Sequence, residues 1–322
     1  MALLTVENLT VTFPSRHGAT NAIENVSIHV EPGEILGMVG ESGAGKSMTG
    51  AAIIGLLEPP GHISGGEIRL EGARIDNLPP AAMRRIRGRR IGAIFQDPLT
   101  SLNPVLTVGE QLVETIRTHL PMTRDQARER AIDWLRRVGI PAPEKRIDTY
   151  PHQYSGGMRQ RVVIALALCA EPRLIIADEP TTALDVSVQA QIIALLRRLA
   201  RETGAAVVLV THDMGVIAET ADRVAVMYAG RIVEVRPVAQ VLANPRHPYT
   251  AGLMAAIPRI GPRPDVLPQI EGAMPRPASR PAGCAFAPRC PHRIDRCVAE
   301  RPAPRGVGAA QVACHLAEEV SA

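Results

Sequence analysis

Aromatic side chains make up only 2% of the 322 residues, so the chain offers few platforms on which nucleic-acid bases could stack. Lysine is also scarce: it occurs at Lys46 and Lys145, and arginine carries the rest of the positive charge. Long apolar runs are missing. Val162–Ala170 and Ala205–Val210 reach at most about half of the roughly 18 residues that a membrane-crossing helix needs. Met1–Thr10 lacks the basic start, apolar stretch and small-residue cleavage site of a secretory leader. Any link to a membrane is therefore expected to come through a partner.

What is present describes a globular protein: 46% of residues are apolar and 21% charged. The net charge of +4 is uneven, because nine arginines face six acidic residues from Pro258 onward, leaving the body nearly neutral. Three textures divide the chain. Residues 1–245 alternate short β-branched runs with helical patterns, which predicts an α/β domain with a largely parallel sheet. Expected strands are Glu34–Val39, Ile91–Phe95, Leu174–Ala177, Val207–Val210 and Arg223–Met227. Thr107–Ile140 reads as mainly helical, with Leu112, Ile116, Ile132, Leu135 and Val138 at helical spacing, inside a helical subdomain of about 100–160. Residues 246–283 are rich in proline and read as a linker or strap. Residues 284–322 are short and polar, and hold four of the five cysteines.

Gly40-Glu41-Ser42-Gly43-Ala44-Gly45-Lys46-Ser47 fits the pattern of a phosphate-binding loop, placed between a buried-strand pattern and a helix. The glycines clear side chains from a point where backbone N–H groups converge on a polyphosphate, and the helix N-terminus adds positive potential. Lys46 brings a compact ammonium to the β and γ phosphates of ATP, where a wide guanidinium would not fit. Ser47 offers a hydroxyl to Mg²⁺. Farther on, Leu174-Ile-Ile-Ala-Asp178-Glu179 is an apolar strand ending in two carboxylates. Asp178 can hold Mg²⁺ and Glu179 can polarise water, a common division of labour in phosphoryl transfer.

With Tyr154-Ser155-Gly156-Gly157-Met158 shortly upstream of that strand, residues 1–245 resemble the ABC ATPase family. The resemblance implies a P-loop NTPase cassette, made of a RecA-like lobe and a helical subdomain. It implies two cassettes head to tail, with Ser155, Gly156 and Gly157 contacting the nucleotide held by the other subunit. Tyr154 and Met158 stand where the commonest form of the signature has Leu and Gln. By the same resemblance, Gln96 touches Mg²⁺ and water and couples to the membrane partner. Asp185 crosses the dimer interface and His212 contacts the γ-phosphate. Phe13 falls where the family stacks an aromatic on adenine, although a core role near a strand end fits it equally.

Cys284, Cys290, Cys297 and Cys314 lie in a compartment that ATP use makes cytosolic and reducing, which argues against disulfides and for a metal centre. The gaps are wider than zinc knuckles and suit a four-cysteine iron–sulfur cluster as well as zinc. His247-Pro-Tyr-Thr and Gly283-Cys284-Ala-Phe-Ala-Pro-Arg-Cys290-Pro resemble the C-terminal extension of oligopeptide and dipeptide importer ATPases. That resemblance implies a [4Fe–4S] cluster on the four cysteines. Cys169 reads as helix packing.

The resemblance further implies an importer ATPase for di- or oligopeptides. Its expected partners are a second, related cassette, two transmembrane permease subunits and an extracellular substrate-binding protein, with no nucleic acid. The expected place is the cytoplasmic face of the inner membrane, peripherally bound. Nickel or glutathione as cargo, or a soluble cassette acting on nucleic acid, are the alternative readings.

Overall fold

The computed structural model describes residues 2–16, 18–182, 184–257, 268–306 and 310–317. The chain divides into two compact units: one holds Ala2–His29, Ile35–Asp76 and Val210–Ala322, the other Val30–Glu34 and Asn77–Leu209.

The first unit contains an antiparallel sheet in the order Gly18–Val30, Leu4–Ser15, His62–Leu70 and Ala73–Arg74. Leu4 and Val6 are buried opposite Leu70 and Ile68, as a two-residue period requires. The period then changes phase, because the next buried residues are Leu9 and Val11. The cause is an irregularity between Glu7 and Thr10, where Asn8 takes φ 50 and its N–H donates to Ser27 Oγ at 2.9 Å.

A second set of strands in this unit runs Gln311–Val312, Arg231–Pro237, Arg223–Tyr228, Ile35–Val39. Ile35–Val39 is buried throughout and pairs in parallel with Arg223–Tyr228, Val39 opposite Val226. A two-residue turn, Ala229 and Gly230, joins Arg223–Tyr228 to Arg231–Pro237, and both turn residues have positive φ. The C-terminal strand pairs Val312 with Glu234. The cysteine-bearing tail therefore belongs to the same unit as Gly40–Ser47. The stretch expected as a strap begins with the helix Pro248–Ala255, and its residues 258–267 lie outside the described residues.

In the second unit, Ile91–Ile94 pairs in parallel with Leu174–Asp178, whose other neighbour is Ala206–Thr211. Helices Val108–His119 and Arg124–Arg137 fill the segment expected to be mainly helical. Pro121 separates them, and each starts with a capping box, Thr107 with Glu110 and Thr123 with Gln126. Val108, Leu112, Ile116, Ala131, Trp134 and Leu135 are buried. Helices Gly156–Leu168 and Val186–Thr203 complete the main helical elements of this unit.

Candidate nucleotide-binding site

The segment Gly40–Ser47 leaves the end of the Ile35–Val39 strand and enters the helix Lys46–Ile53. Gly45, at φ 106, caps that helix, and a Cβ there would collide with Ile23. At Gly40 the obstacle is the Met227 carbonyl oxygen. These glycines are required by the close approach of strand and helix as well as by any ligand. Lys46 is buried, and its Nζ donates to the carbonyls of Gly40 at 2.7 Å and Glu41 at 3.0 Å. The ammonium thus lies across the mouth of its own loop. Ser42, Gly43 and Ser47 are exposed, and Ala44 is buried with its carbonyl accepting from Gly230 N–H at 2.8 Å. Half-buried Phe13, in the Leu4–Ser15 strand, has its ring against Gly61.

In the other unit the structure brings Gln96 and Glu179 together: Gln96 Nε2 donates to Glu179 Oε2 at 3.3 Å. Asp178 ends its strand, and Glu179 follows with φ 44, a conformation that costs a non-glycine residue energy and tends to occur at functional positions. Thr182 also holds Glu179, its Oγ1 donating to Oε2 at 3.0 Å. Sequence reasoning missed this threonine. The signal was its place three residues on, where a turn returns the chain to the carboxylate, as Thr182 N–H donating to Glu179 O at 3.1 Å shows.

Ser155 caps the helix Gly156–Leu168, its Oγ accepting from Met158 N–H at 3.3 Å. Ser155 and Gly156 are exposed, which leaves the positive end of a helix facing solvent. At Gly157 a side chain would press on Val188. Tyr154 fills the position where leucine is commoner. It is buried, and its hydroxyl donates to Arg146 O at 2.6 Å, so the departure is a packing and hydrogen-bonding choice. Asp185 is exposed at the start of Val186–Thr203, beside Val186, which is 82% exposed. His212 is exposed directly after the Ala206–Thr211 strand, in the same unit as Lys46 and Ser47. The next residue, Asp213, caps the helix Met214–Thr220 by accepting from Gly215 N–H at 2.7 Å.

The four tail cysteines all border one narrow cavity, together with His292, His315 and Phe286. Burial raises the thiol pKa values of Cys284 and Cys290. His315 Nε2 donates to Glu300 O at 2.8 Å, and its Nδ1 is buried with no hydrogen-bond partner. Four thiols and an orphaned imidazole nitrogen form a donor set suited to a soft metal. Among the described residues, no group of three or more Cys, His, Asp or Glu side chains is drawn close enough to hold a single ion. Cys169 sits elsewhere, with its thiol pushed up to about 12 by burial, as a packing residue should be.

Comparison with known proteins places this arrangement. The sequence model of the ABC transporter family matches residues 23–182. A putative peptide import ATP-binding protein of Brucella abortus is 48% identical over 300 residues, covering 93% of this chain and 90% of that protein. The dipeptide transport ATP-binding protein DppD of Escherichia coli K12 is 46% identical, covering 94% and 93%. A dimeric structure of the bacterial ABC transporter cassette MJ0796 aligns with a TM-score of 0.65 at 31% identity, over 73% of this chain and 98% of that one. Another MJ0796 dimer, in a post-hydrolysis state with ADP and Pi, aligns equally well, at a TM-score of 0.65. The chain belongs to the ABC transporter family, as one of its ATP-hydrolysing cassettes. The model described as the oligopeptide/dipeptide transporter C-terminal region matches residues 233–297 and sets it in that group.

Proposed function

We propose that the chain drives uptake of di- or oligopeptides through two permease subunits, from the cytoplasmic face of the inner membrane. In this reading Lys46 and the amides of Gly40–Ser47 hold the ATP phosphates, and Phe13 flanks the adenine. Ser47, Asp178 and Gln96 hold Mg²⁺, which when bound neutralises phosphate charge. Glu179 orients the attacking water, and His212 contacts the γ-phosphate. Ser155, Gly156 and Gly157, with Asp185 at the same interface, serve the nucleotide of a second cassette, a related subunit of a different kind.

The observation that carries this reading is the solvent-facing helix start at Ser155 and Gly156, whose positive end suits the phosphate of a nucleotide held elsewhere. The permease contact is supported by Leu99 and Val105, 62% and 76% exposed in the segment that follows Gln96. Among the described residues no helix is long and apolar enough to cross a membrane, so membrane attachment in this reading is through those subunits. An extracellular binding protein would deliver the cargo.

For the tail we propose a [4Fe–4S] cluster on Cys284, Cys290, Cys297 and Cys314. Its support is that all four thiols border one cavity.

The test is reconstitution of the cassette with its permeases and binding protein in vesicles. ATP-dependent accumulation of a labelled dipeptide, absent with Lys46→Ala, is the expected result. Accumulation of nickel or glutathione instead would overturn the cargo, and co-purification with nucleic acid instead of permeases would overturn the transporter reading.

A further inference from the structure

The phosphate loop carries an acid that its pattern does not ask for. Glu41 stands at a free position of the motif, where an unpaired carboxylate would repel a triphosphate arriving a few ångströms away. It is not unpaired. Arg289 Nη1 donates to both carboxylate oxygens of Glu41, at 2.9 and 3.0 Å, and to Tyr228 Oη at 3.3 Å. The rest of the guanidinium is fixed from the tail, with Nη2 donating to Ile270 O at 3.1 Å and Nε to Glu271 O at 2.8 Å. Its side chain is 6% exposed against 30% for Glu41, so the pair is shielded from salt on the arginine side. The cation also lies 5.8 Å from the centre of the Tyr228 ring.

Other tail and helix residues reach the same loop. Tyr249, fully buried, accepts the Glu41 N–H on its hydroxyl at 2.9 Å. Met274 Sδ accepts from Ala229 N–H at 3.2 Å, and its methyl group borders Gly43. All of these residues lie in one compact unit. The tail therefore grips the loop by charge and packing, with the charge supplied by the residue just before Cys290.

We propose that Arg289 is a positioning residue of the nucleotide site, which cancels the Glu41 charge and fixes the first half of the phosphate loop in its ATP-accepting shape. The inference rests on the reading of Gly40–Ser47 as the ATP loop. Without Arg289, Glu41 is a free negative charge beside the triphosphate, and ATP binding weakens while the groups that act on the γ-phosphate stay in place.

The test measures kcat and KM for ATP, with the thermal midpoint, for the full chain in its transporter complex. Arg289→Ala is expected to raise KM on the order of tenfold while leaving kcat within about twofold. Adding Glu41→Gln to that variant removes the stranded charge and is expected to return KM most of the way to the parent value. Arg289→Gln takes the place of Arg289→Ala if the latter does not fold. A parental KM in the Arg289 variants, or a raised KM that Glu41→Gln fails to lower, overturns the proposal. Lys46→Ala keeps the two readings apart: undiminished ATP binding in that variant sinks the loop assignment itself, whereas lost binding with parental Arg289 variants sinks the clamp alone.

Discussion

Glu179 shows how much one residue can carry. Its backbone is held at φ 44, and its Oε2 accepts from both Gln96 and Thr182. A carboxylate fixed from two sides is suited to orient a water and loses little entropy in doing so. Glutamine there keeps shape but cannot take a proton. Glu179→Gln is expected to bind ATP as the parent does and to lower turnover by about 10²- to 10⁴-fold, the usual worth of a general base. Equilibrium nucleotide binding, single-turnover phosphate release and size-exclusion chromatography for a long-lived closed dimer check this, and parental turnover would remove Glu179 from the role. Cys169 allows a different test. With its thiol pushed up to about 12 and its side chain buried at the C-terminal end of the helix Gly156–Leu168, it is expected to resist alkylation at pH 8 in the native protein and to react once unfolded. Mass spectrometry of the labelled peptides decides it.

At the scale of elements, stability lies in capped helix starts as well as in the core. Thr123 accepts from Gln126 N–H at 3.3 Å, and Gln126 Oε1 accepts from Thr123 N–H at 2.9 Å. Thr123→Ala leaves both ends of that exchange weakened and is expected to cost about 1 kcal/mol in chemical denaturation, with catalysis unaltered. The elements also explain which parts of the fold were readable. Ile35–Val39, Leu174–Asp178 and Ala206–Thr211 are buried strands, so each is a continuous apolar run with a clear edge. The antiparallel strands Leu4–Ser15 and His62–Leu70 carry no such run, because their signal is alternation, and the bulge at Asn8 reverses its phase between Val6 and Leu9. The glycine-rich passage from strand to helix at Gly40–Ser47 was legible because its pattern is packed into eight consecutive residues. Thr182 and Arg289 were not. One acts through a turn, and the other reaches Glu41 across 248 residues of sequence, a distance over which no local pattern carries information.

At the scale of the whole molecule, the tail is structural and not a pendant. Gln311–Val312 extends a strand pairing, and Ala313 N–H donates to Val233 O at 2.8 Å. Phe286 packs edge-on to Tyr228 at 5.2 Å and beside Tyr249 at 5.5 Å, closing an aromatic cluster in a chain that has few aromatics. The four cysteines border the cavity on which Phe286 also opens. A group that binds those thiols in the folded chain, and not in the unfolded one, adds its binding free energy to the stability of this unit. Protein purified without oxygen is therefore expected to be brown, to contain iron and acid-labile sulfide, and to melt at a higher temperature than the chelator-treated chain. Cys290→Ser is expected to lose the colour and to melt with the chelated parent. A colourless anaerobic preparation with stoichiometric zinc would replace the cluster by a zinc site. A metal-free preparation with an unchanged melting temperature would show the tail held without a metal, by the aromatic cluster, the strand pairing and the Arg289–Glu41 pair.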